Sequence, residues 1–132
     1  MNWVQDVFSV PLIPTQGEVL IPQPELSLPK HGVSAAFLSH AEVYFTRFKN
    51  YDYLYSLMSD TFKRINYIPK GLVVDFGSGF GNSVIPLLEN YEVSVIATDI
   101  SPDLLRILQR EARLRGWSDR CAAVAQDASN CY

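Results

Sequence analysis

Short apolar runs alternate with amphipathic stretches along the second half of the chain. Residues 72–76, 92–98 and 121–126 are rich in β-branched or small apolar side chains, which is typical of buried parallel strands. Between them, residues 84–88 and 104–114 repeat apolar side chains at a spacing of three and four, which predicts two helices. The order β-α-β-α-β predicts an α/β, Rossmann-like parallel sheet with right-handed crossovers.

Capping residues predict where these helices begin and end. The run Ser101-Pro102-Asp103 combines a favoured N-cap residue, a proline at the first helical position and an acid in the first turn. Gly116 suits the position just after the last turn of the same helix. Asn82 or Ser83 is predicted to cap the preceding helix.

The first half of the chain predicts two further regions. Residues 34–65 form two amphipathic helical stretches with a break at Asn50-Tyr51-Asp52. Five of the eight prolines lie in the first 29 residues, which predicts an extended arm with a short strand near residues 18–21. The predicted division is a Pro-rich arm (1–33), a helical N-terminal cap (34–68) and a Rossmann-like domain (69–132). The arm is either a partner-dependent leader or a flap over a binding cleft.

Composition and charge narrow the class of protein. The chain has 132 residues, is 48% hydrophobic and carries 11 Lys+Arg against 14 Asp+Glu, which argues against global disorder and against a dedicated nucleic-acid surface. Cys121 and Cys131 are too few for a disulfide framework or a four-cysteine zinc site, so no metal is expected. No secretory signal and no membrane-spanning run is evident, so we expect a soluble, cytoplasmic protein.

The most informative segment is the glycine-rich loop Gly77-Ser78-Gly79-Phe80-Gly81 after the first of these strands. Glycines at such a turn let the backbone approach a ligand at the carboxyl end of a sheet, although tight β-to-α turns also need glycine for steric reasons. A dinucleotide fingerprint requires its third glycine one residue later, where this chain has Asn82.

An acid stands at the end of each predicted strand: Asp75, Asp99 and Asp127. A carboxylate at Asp75 would repel a pyrophosphate but suits a ligand that carries an ammonium group. Asp99, 18 residues beyond Gly81, can accept hydrogen bonds from both hydroxyls of a ribose.

With these motifs, the segment from about Lys70 to Tyr132 resembles the first half of a class I S-adenosylmethionine-dependent methyltransferase. Asp75 with the three glycines matches the family's first motif, Asp99-Ile100-Ser101-Pro102 matches the second, and Gln126-Asp127-Ala128 is similar to the third. The resemblance implies S-adenosyl-L-methionine as the cofactor and a set of cofactor-binding residues, which are Asp75, Phe76, Gly77, Ser78, Gly79, Gly81, Asp99, Ile100, Ser101, Asp127 and Ala128.

The resemblance also implies a role for several of these residues. The loop backbone from Gly77 to Gly81 would hold the methionine part, with Asp75 near its amino group. Asp99 would bind the ribose, Ile100 would pack on the adenine, and Asp127 would accept a hydrogen bond from the adenine amino group. Such an enzyme transfers a methyl group to an acceptor, which is unidentified here.

No catalytic residue is predicted, because transfer from an activated sulfonium needs mainly positioning and desolvation. His31 and His40 are expected to be structural rather than catalytic. One or more of the cap side chains could instead face the cleft: Tyr44, Arg47, Tyr51 and Tyr53.

One difficulty is that the chain supplies only three of the strands expected for this family. Residues 72–76 would then form an unpaired apolar edge, which we expect the N-terminal arm or a second chain to cover unless the chain is a fragment. The fragment is the favoured interpretation. The alternatives are a nicotinamide-dinucleotide oxidoreductase domain and a non-catalytic, structural module of the same fold.

Overall fold

The computed structural model describes residues 2–27 and 33–130. The helices in these residues are α1 (Asn2–Gln5), α2 (Val33–Phe48), α3 (Asp52–Arg64), α4 (Val84–Asn90) and α5 (Pro102–Leu114). The strands are β1 (Leu12–Pro14), β2 (Val19–Pro22), β3 (Gly71–Phe76), β4 (Val93–Asp99) and β5 (Cys121–Ala125). Two 3-10 turns, Gln16–Glu18 and Gln23–Ser27, flank β2.

The strands form one sheet in the order β1-β2-β5-β4-β3. The β2–β5, β5–β4 and β4–β3 pairs are parallel, and only β1 runs antiparallel to its neighbour. Asp75 pairs with Ala97, and Asp99 with Ala125, so β3, β4 and β5 end at the same edge of the sheet. The predicted α/β, Rossmann-like fold is confirmed.

The caps predicted for the last helix are confirmed, and Ser83 lies at the N-cap position predicted for α4. The Ser101 side chain accepts a hydrogen bond from the Leu104 N–H, and Gly116 follows the helix with a φ of +80°. Ser83 precedes α4 but makes no capping hydrogen bond through its side chain, because its backbone is already helical rather than extended. The side-chain oxygen of Asn82 is buried without a partner among the described residues.

Helices α4 and α5 cover one face of the sheet and build the main core with it. Val84, Ile85, Leu105 and Leu108 are fully buried against the apolar side chains of β4 and β5. The two cap helices lie outside this layer, with α3 against α4 and α2 against α5. This core sets the positions of the strand ends, where the candidate site lies.

The N-terminal arm extends the sheet on the side of β5. The short strand predicted near residues 18–21 is confirmed as β2, which pairs with β5. Val4 of α1 packs on the opposite face of the sheet from α4 and α5, against Ile96 and Val124. The predicted division into arm, cap and Rossmann-like domain stays a prediction.

Strand β3 is an exposed edge of this sheet, as predicted. Leu72, Val74 and Phe76 share one face of this strand and are 45%, 39% and 58% exposed. The expectation that the N-terminal arm covers this edge is wrong among the described residues. Strand β2 of the arm pairs with β5 instead, so the arm lies at the edge of the sheet opposite to β3.

Residues 2–27 and 33–130 contain no helix that is both long enough and apolar enough to cross a bilayer.

Candidate functional site

The loop between β3 and α4 exposes its backbone at two of its glycines. Gly77, Gly79 and Gly81 all have positive φ, at +71°, +55° and +97°. A Cβ atom built on Gly77 or Gly79 would meet no heavy atom within 4 Å, so a ligand can approach the backbone there. This is the geometry predicted for a loop that holds part of a ligand.

Gly81 lies where the loop passes close to two buried side chains. A Cβ at this position would lie 3.0 Å from Cγ1 of Ile85 and 3.1 Å from Cγ of Leu108. Gly81 therefore lets the loop pass close to α4 and α5. A direct role in cofactor binding stays a prediction for this residue.

Ser78 joins the ends of β3 and β4 through hydrogen bonds. Its hydroxyl donates to Oδ2 of Asp75 at 2.7 Å, and it accepts from the N–H of Thr98 at 3.1 Å. The Ser78 N–H donates to the carbonyl oxygen of Thr98 at 2.8 Å. Because Ser78 is buried, its side chain orients the carboxylate of Asp75 and ties the loop to β4.

The carboxyl group of Asp75 lies in a partly buried environment that disfavours its ionised form. Burial raises the pKa of Asp75, the hydrogen bond from Ser78 opposes this shift, and the nearby charge of Asp99 adds to it. The two acids lie on either side of the same loop, since Asp75 accepts a hydrogen bond from Ser78 and Asp99 accepts one from Gly79.

Asp99 connects the glycine loop with the start of α5. Its Oδ2 accepts from the N–H of Gly79 at 2.9 Å, and its Oδ1 accepts from the N–H of Ser101 at 2.9 Å. A carboxylate has about four acceptor positions, so roughly one remains on each oxygen. Asp99 can therefore accept two further hydrogen bonds from neighbouring hydroxyl groups of a ligand.

A cavity of about 440 Å³ lies where the glycine loop meets the carboxyl ends of β4 and β5. Parallel α/β sheets commonly bind ligands at this edge. Residues predicted for the site that line the cavity are Gly77, Gly79, Asp99, Ile100, Asp127 and Ala128. The same cavity brings together the acids that end β4 and β5, although 27 residues separate them.

The remaining predicted residues lie near the cavity without lining it. Asp75 and Ser78 stabilise the loop through the hydrogen bond between their side chains, and Gly81 packs against the helices. Ser101 is fully buried as the N-cap of α5. Phe76 is 58% exposed at the edge of the sheet. Their predicted contacts with a cofactor stay predictions.

Three lining residues were not among the predicted ones: Thr98, Leu104 and Gln126. Thr98 and Gln126 come directly before the acids at the ends of β4 and β5, and that position is the signal that could have identified them. Gln126 is 7% exposed, and its side-chain oxygen has no partner among the described residues. A buried acceptor beside a cavity is compatible with a polar ligand.

The charge of the cavity is negative. Asp99 and Asp127 line it, and within residues 2–27 and 33–130 no lysine or arginine does. Among these residues an anionic diphosphate would find no positively charged side chain, whereas a cationic or hydroxyl-rich ligand would find acceptors.

The cap residues suggested for the cleft do not line this cavity. Tyr51 is buried and stacks on Phe80 with ring centroids 4.6 Å apart, and Tyr44 lies beside it in the same aromatic cluster. Arg47 lies over the ring of Phe48. The last of these cap residues, Tyr53, is 67% exposed. Of the two histidines that were expected to be structural, His40 is exposed and His31 lies outside the described residues.

A larger open groove of about 830 Å³ lies at the opposite, amino end of β3 and β4. Its charged lining residues are Glu92, which is exposed, and Arg120, whose guanidinium already donates to the carbonyl oxygens of Leu88, Tyr91 and Val93. The cavity at the glycine loop is the better candidate, because it lies at the carboxyl ends of the parallel strands.

Comparison with known proteins agrees with this location. Residues 73–132, a little under half of the chain, match the family model of a methyltransferase domain. The resemblance drawn from the sequence is thus confirmed for this segment. No curated protein matches the sequence closely enough to count as a relative.

One solved structure supports the same fold, and a second aligns more weakly. A candidate S-adenosylmethionine-dependent methyltransferase from Methanococcus maripaludis aligns with a TM-score of 0.58 and 23% sequence identity, over 79% of this chain and 47% of that one. An S-adenosylmethionine-dependent methyltransferase from Clostridium acetobutylicum aligns with a TM-score of 0.49 and 19% identity, over 74% of this chain and 39% of that one. The chain therefore spans less than half the length of either protein.

Proposed function

We propose that this chain binds S-adenosyl-L-methionine and forms the cofactor-binding part of a methyltransferase. The observation that carries the proposal is the cavity at the carboxyl ends of β4 and β5, in which open glycine backbone and the carboxylates of Asp99 and Asp127 converge. The family match of residues 73–132 supports the same assignment.

The residues around the cavity fit the nucleoside part of this cofactor. Asp99 has about one unused acceptor position on each carboxylate oxygen, which suits the two hydroxyls of a ribose. Ile100 and Leu104 provide apolar surface for the adenine ring. Asp127 would accept a hydrogen bond from the adenine amino group.

The other end of the cofactor would lie along the glycine loop. The backbone at Gly77 and Gly79 is open to a ligand, and Asp75 lies directly behind it. The negative carboxylates at this edge favour the positive ammonium and sulfonium groups of the cofactor. The same carboxylates would repel the diphosphate of a nicotinamide dinucleotide.

The bound cofactor would supply a methyl group that its positive sulfur already activates. The residues of this chain would bind and orient it and keep its polar groups hydrogen-bonded. The methyl acceptor and any residue that removes a proton from it are unassigned.

Parallel titration calorimetry with S-adenosylhomocysteine and with NAD tests the proposal. We expect S-adenosylhomocysteine to bind and NAD to give no heat of binding. Binding of NAD alone would support the oxidoreductase alternative, and no heat of binding with either ligand would support a structural module.

Two properties that the sequence predicts remain part of this proposal. Cys121 is a buried free thiol, in agreement with a cytoplasmic location. The exposed apolar edge of β3 would be covered by a second copy or another chain.

A further inference from the structure

We infer that Glu25, in the N-terminal arm, is a positioning residue for the adenine end of the proposed cofactor site. The inference rests on the function proposed above. Glu25 lies in the 3-10 turn Gln23–Ser27 and precedes Asp127 by 102 residues. No motif in the sequence connects the two.

The contact consists of two hydrogen bonds to one carboxylate oxygen. Oε1 of Glu25 accepts from the N–H of Asp127 at 3.0 Å and from Nδ2 of Asn130 at 3.2 Å. Glu25 is only 5% exposed. Because these bonds are largely shielded from water, removing the carboxylate would leave two donors with poorer partners.

Both donors belong to the turn that orients the carboxylate of Asp127. Oδ1 of Asp127 accepts from the N–H of Ser129 at 2.9 Å and from its hydroxyl at 2.8 Å. The N–H of Asn130 donates to the carbonyl oxygen of Asp127 at 3.0 Å. Glu25 therefore holds the first and last residues of a turn that directs Asp127.

The segment that carries Glu25 is itself held in place. Strand β2, which immediately precedes it, pairs with β5, with Val19 opposite Ala123. The N–H of Gln23 donates to the carbonyl oxygen of Pro11 at 2.9 Å. These contacts therefore hold Glu25 in a fixed position against the turn at Asp127.

Hydrogen exchange measured by NMR tests this contact without any ligand. Glu25→Ala is expected to speed exchange of the Asp127 amide roughly tenfold, and Glu25→Gln, which keeps an acceptor but not its charge, roughly threefold. The control Gln23→Ala changes an exposed side chain on the same turn and should leave the rate unchanged. A native rate in Glu25→Ala would overturn the inference. If that variant does not fold, a native rate in Glu25→Gln would do so.

A pair of ligands tests the role at the adenine end. S-adenosylhomocysteine carries the adenine amino group, and S-inosylhomocysteine has a carbonyl in its place. We expect Glu25→Ala to bind S-adenosylhomocysteine roughly tenfold more weakly and to lose most of the preference for it. A purely structural role would weaken both ligands equally, so an unchanged preference would overturn the inference alone. Failure of the native chain to bind S-adenosylhomocysteine would instead refute the proposed function together with this role.

Discussion

Replacing Gly81 by alanine adds one methyl group where the glycine loop packs against two helices. The new Cβ would lie 3.0 Å from Cγ1 of Ile85 and 3.1 Å from Cγ of Leu108, and both of these side chains are fully buried. The backbone at Gly81 has a φ of +97°, a conformation that a residue with a Cβ rarely adopts. The substitution therefore combines overpacking with backbone strain.

The same substitution at Gly79 provides a matched control. Gly79 also has a positive φ, at +55°, but its Cβ would meet no atom within 4 Å. Backbone strain costs roughly 1–2 kcal/mol at either position, and overpacking adds about 1–3 kcal/mol at Gly81 alone. The effect of alanine on the unfolded chain is common to both variants and cancels in their difference.

Urea unfolding followed by circular dichroism measures this difference. We expect Gly81→Ala to lower the free energy of unfolding by about 2–5 kcal/mol and Gly79→Ala by about 1–2 kcal/mol, with similar m-values. Gly79→Ala should in addition weaken binding of S-adenosylhomocysteine, because its methyl group lies on the exposed loop backbone. Equal destabilisation of the two variants, or a larger loss at Gly79, would refute the packing role of Gly81.

Three further predictions concern the strand ends. Asp99→Ala should weaken binding of S-adenosylhomocysteine by roughly 1.5–3 kcal/mol in calorimetry, because it removes a charged acceptor. The control Asp103→Ala, which changes a nearby acid outside the cavity, should not weaken this binding. Unchanged affinity in Asp99→Ala would mean that the ribose is held elsewhere. Ser101→Ala should cost about 1 kcal/mol in urea unfolding, since it removes the hydrogen bond to the Leu104 N–H; no loss would show that the cap is dispensable. Burial raises the pKa of Asp75 in the folded chain above its ordinary value of about 3.8. As pH rises past 3.8, the unfolded chain loses this proton before the folded chain does, so the free energy of unfolding falls. Asp75→Asn should therefore gain stability relative to the native chain on going from pH 4 to pH 7, and a constant difference between the two unfolding free energies would contradict this.

The order of the elements could be predicted from the sequence because it depends on local spacing. The apolar runs that became β3, β4 and β5, and the cap at Ser101, are each encoded within a few neighbouring residues. The cavity followed from the same information. Once the strands are parallel, acids such as Asp99 and Asp127 at their carboxyl ends must lie at one edge of the sheet.

Side-chain roles inside the loop were harder to predict. Glycine spacing alone did not separate Gly79, whose backbone is open, from Gly81, whose position is set by packing. Ser83 lies at the predicted N-cap position but makes no capping hydrogen bond for a related reason, because its backbone angles depend on how the whole loop enters α4. Only the packed structure distinguishes these cases.

By itself the sequence determined the fold class, the glycine loop and the acids that end the strands, because each depends on residues close together in the chain. The tertiary structure decided which edge the arm joins and that Glu25 lies against the turn at Asp127. Proline content predicts an extended arm but not its partner strand, since any exposed edge of the sheet offers similar backbone hydrogen bonds. The apolar side chains of β2 and α1 determine which edge the arm joins, because they pack beside β5 and against Ile96 and Val124.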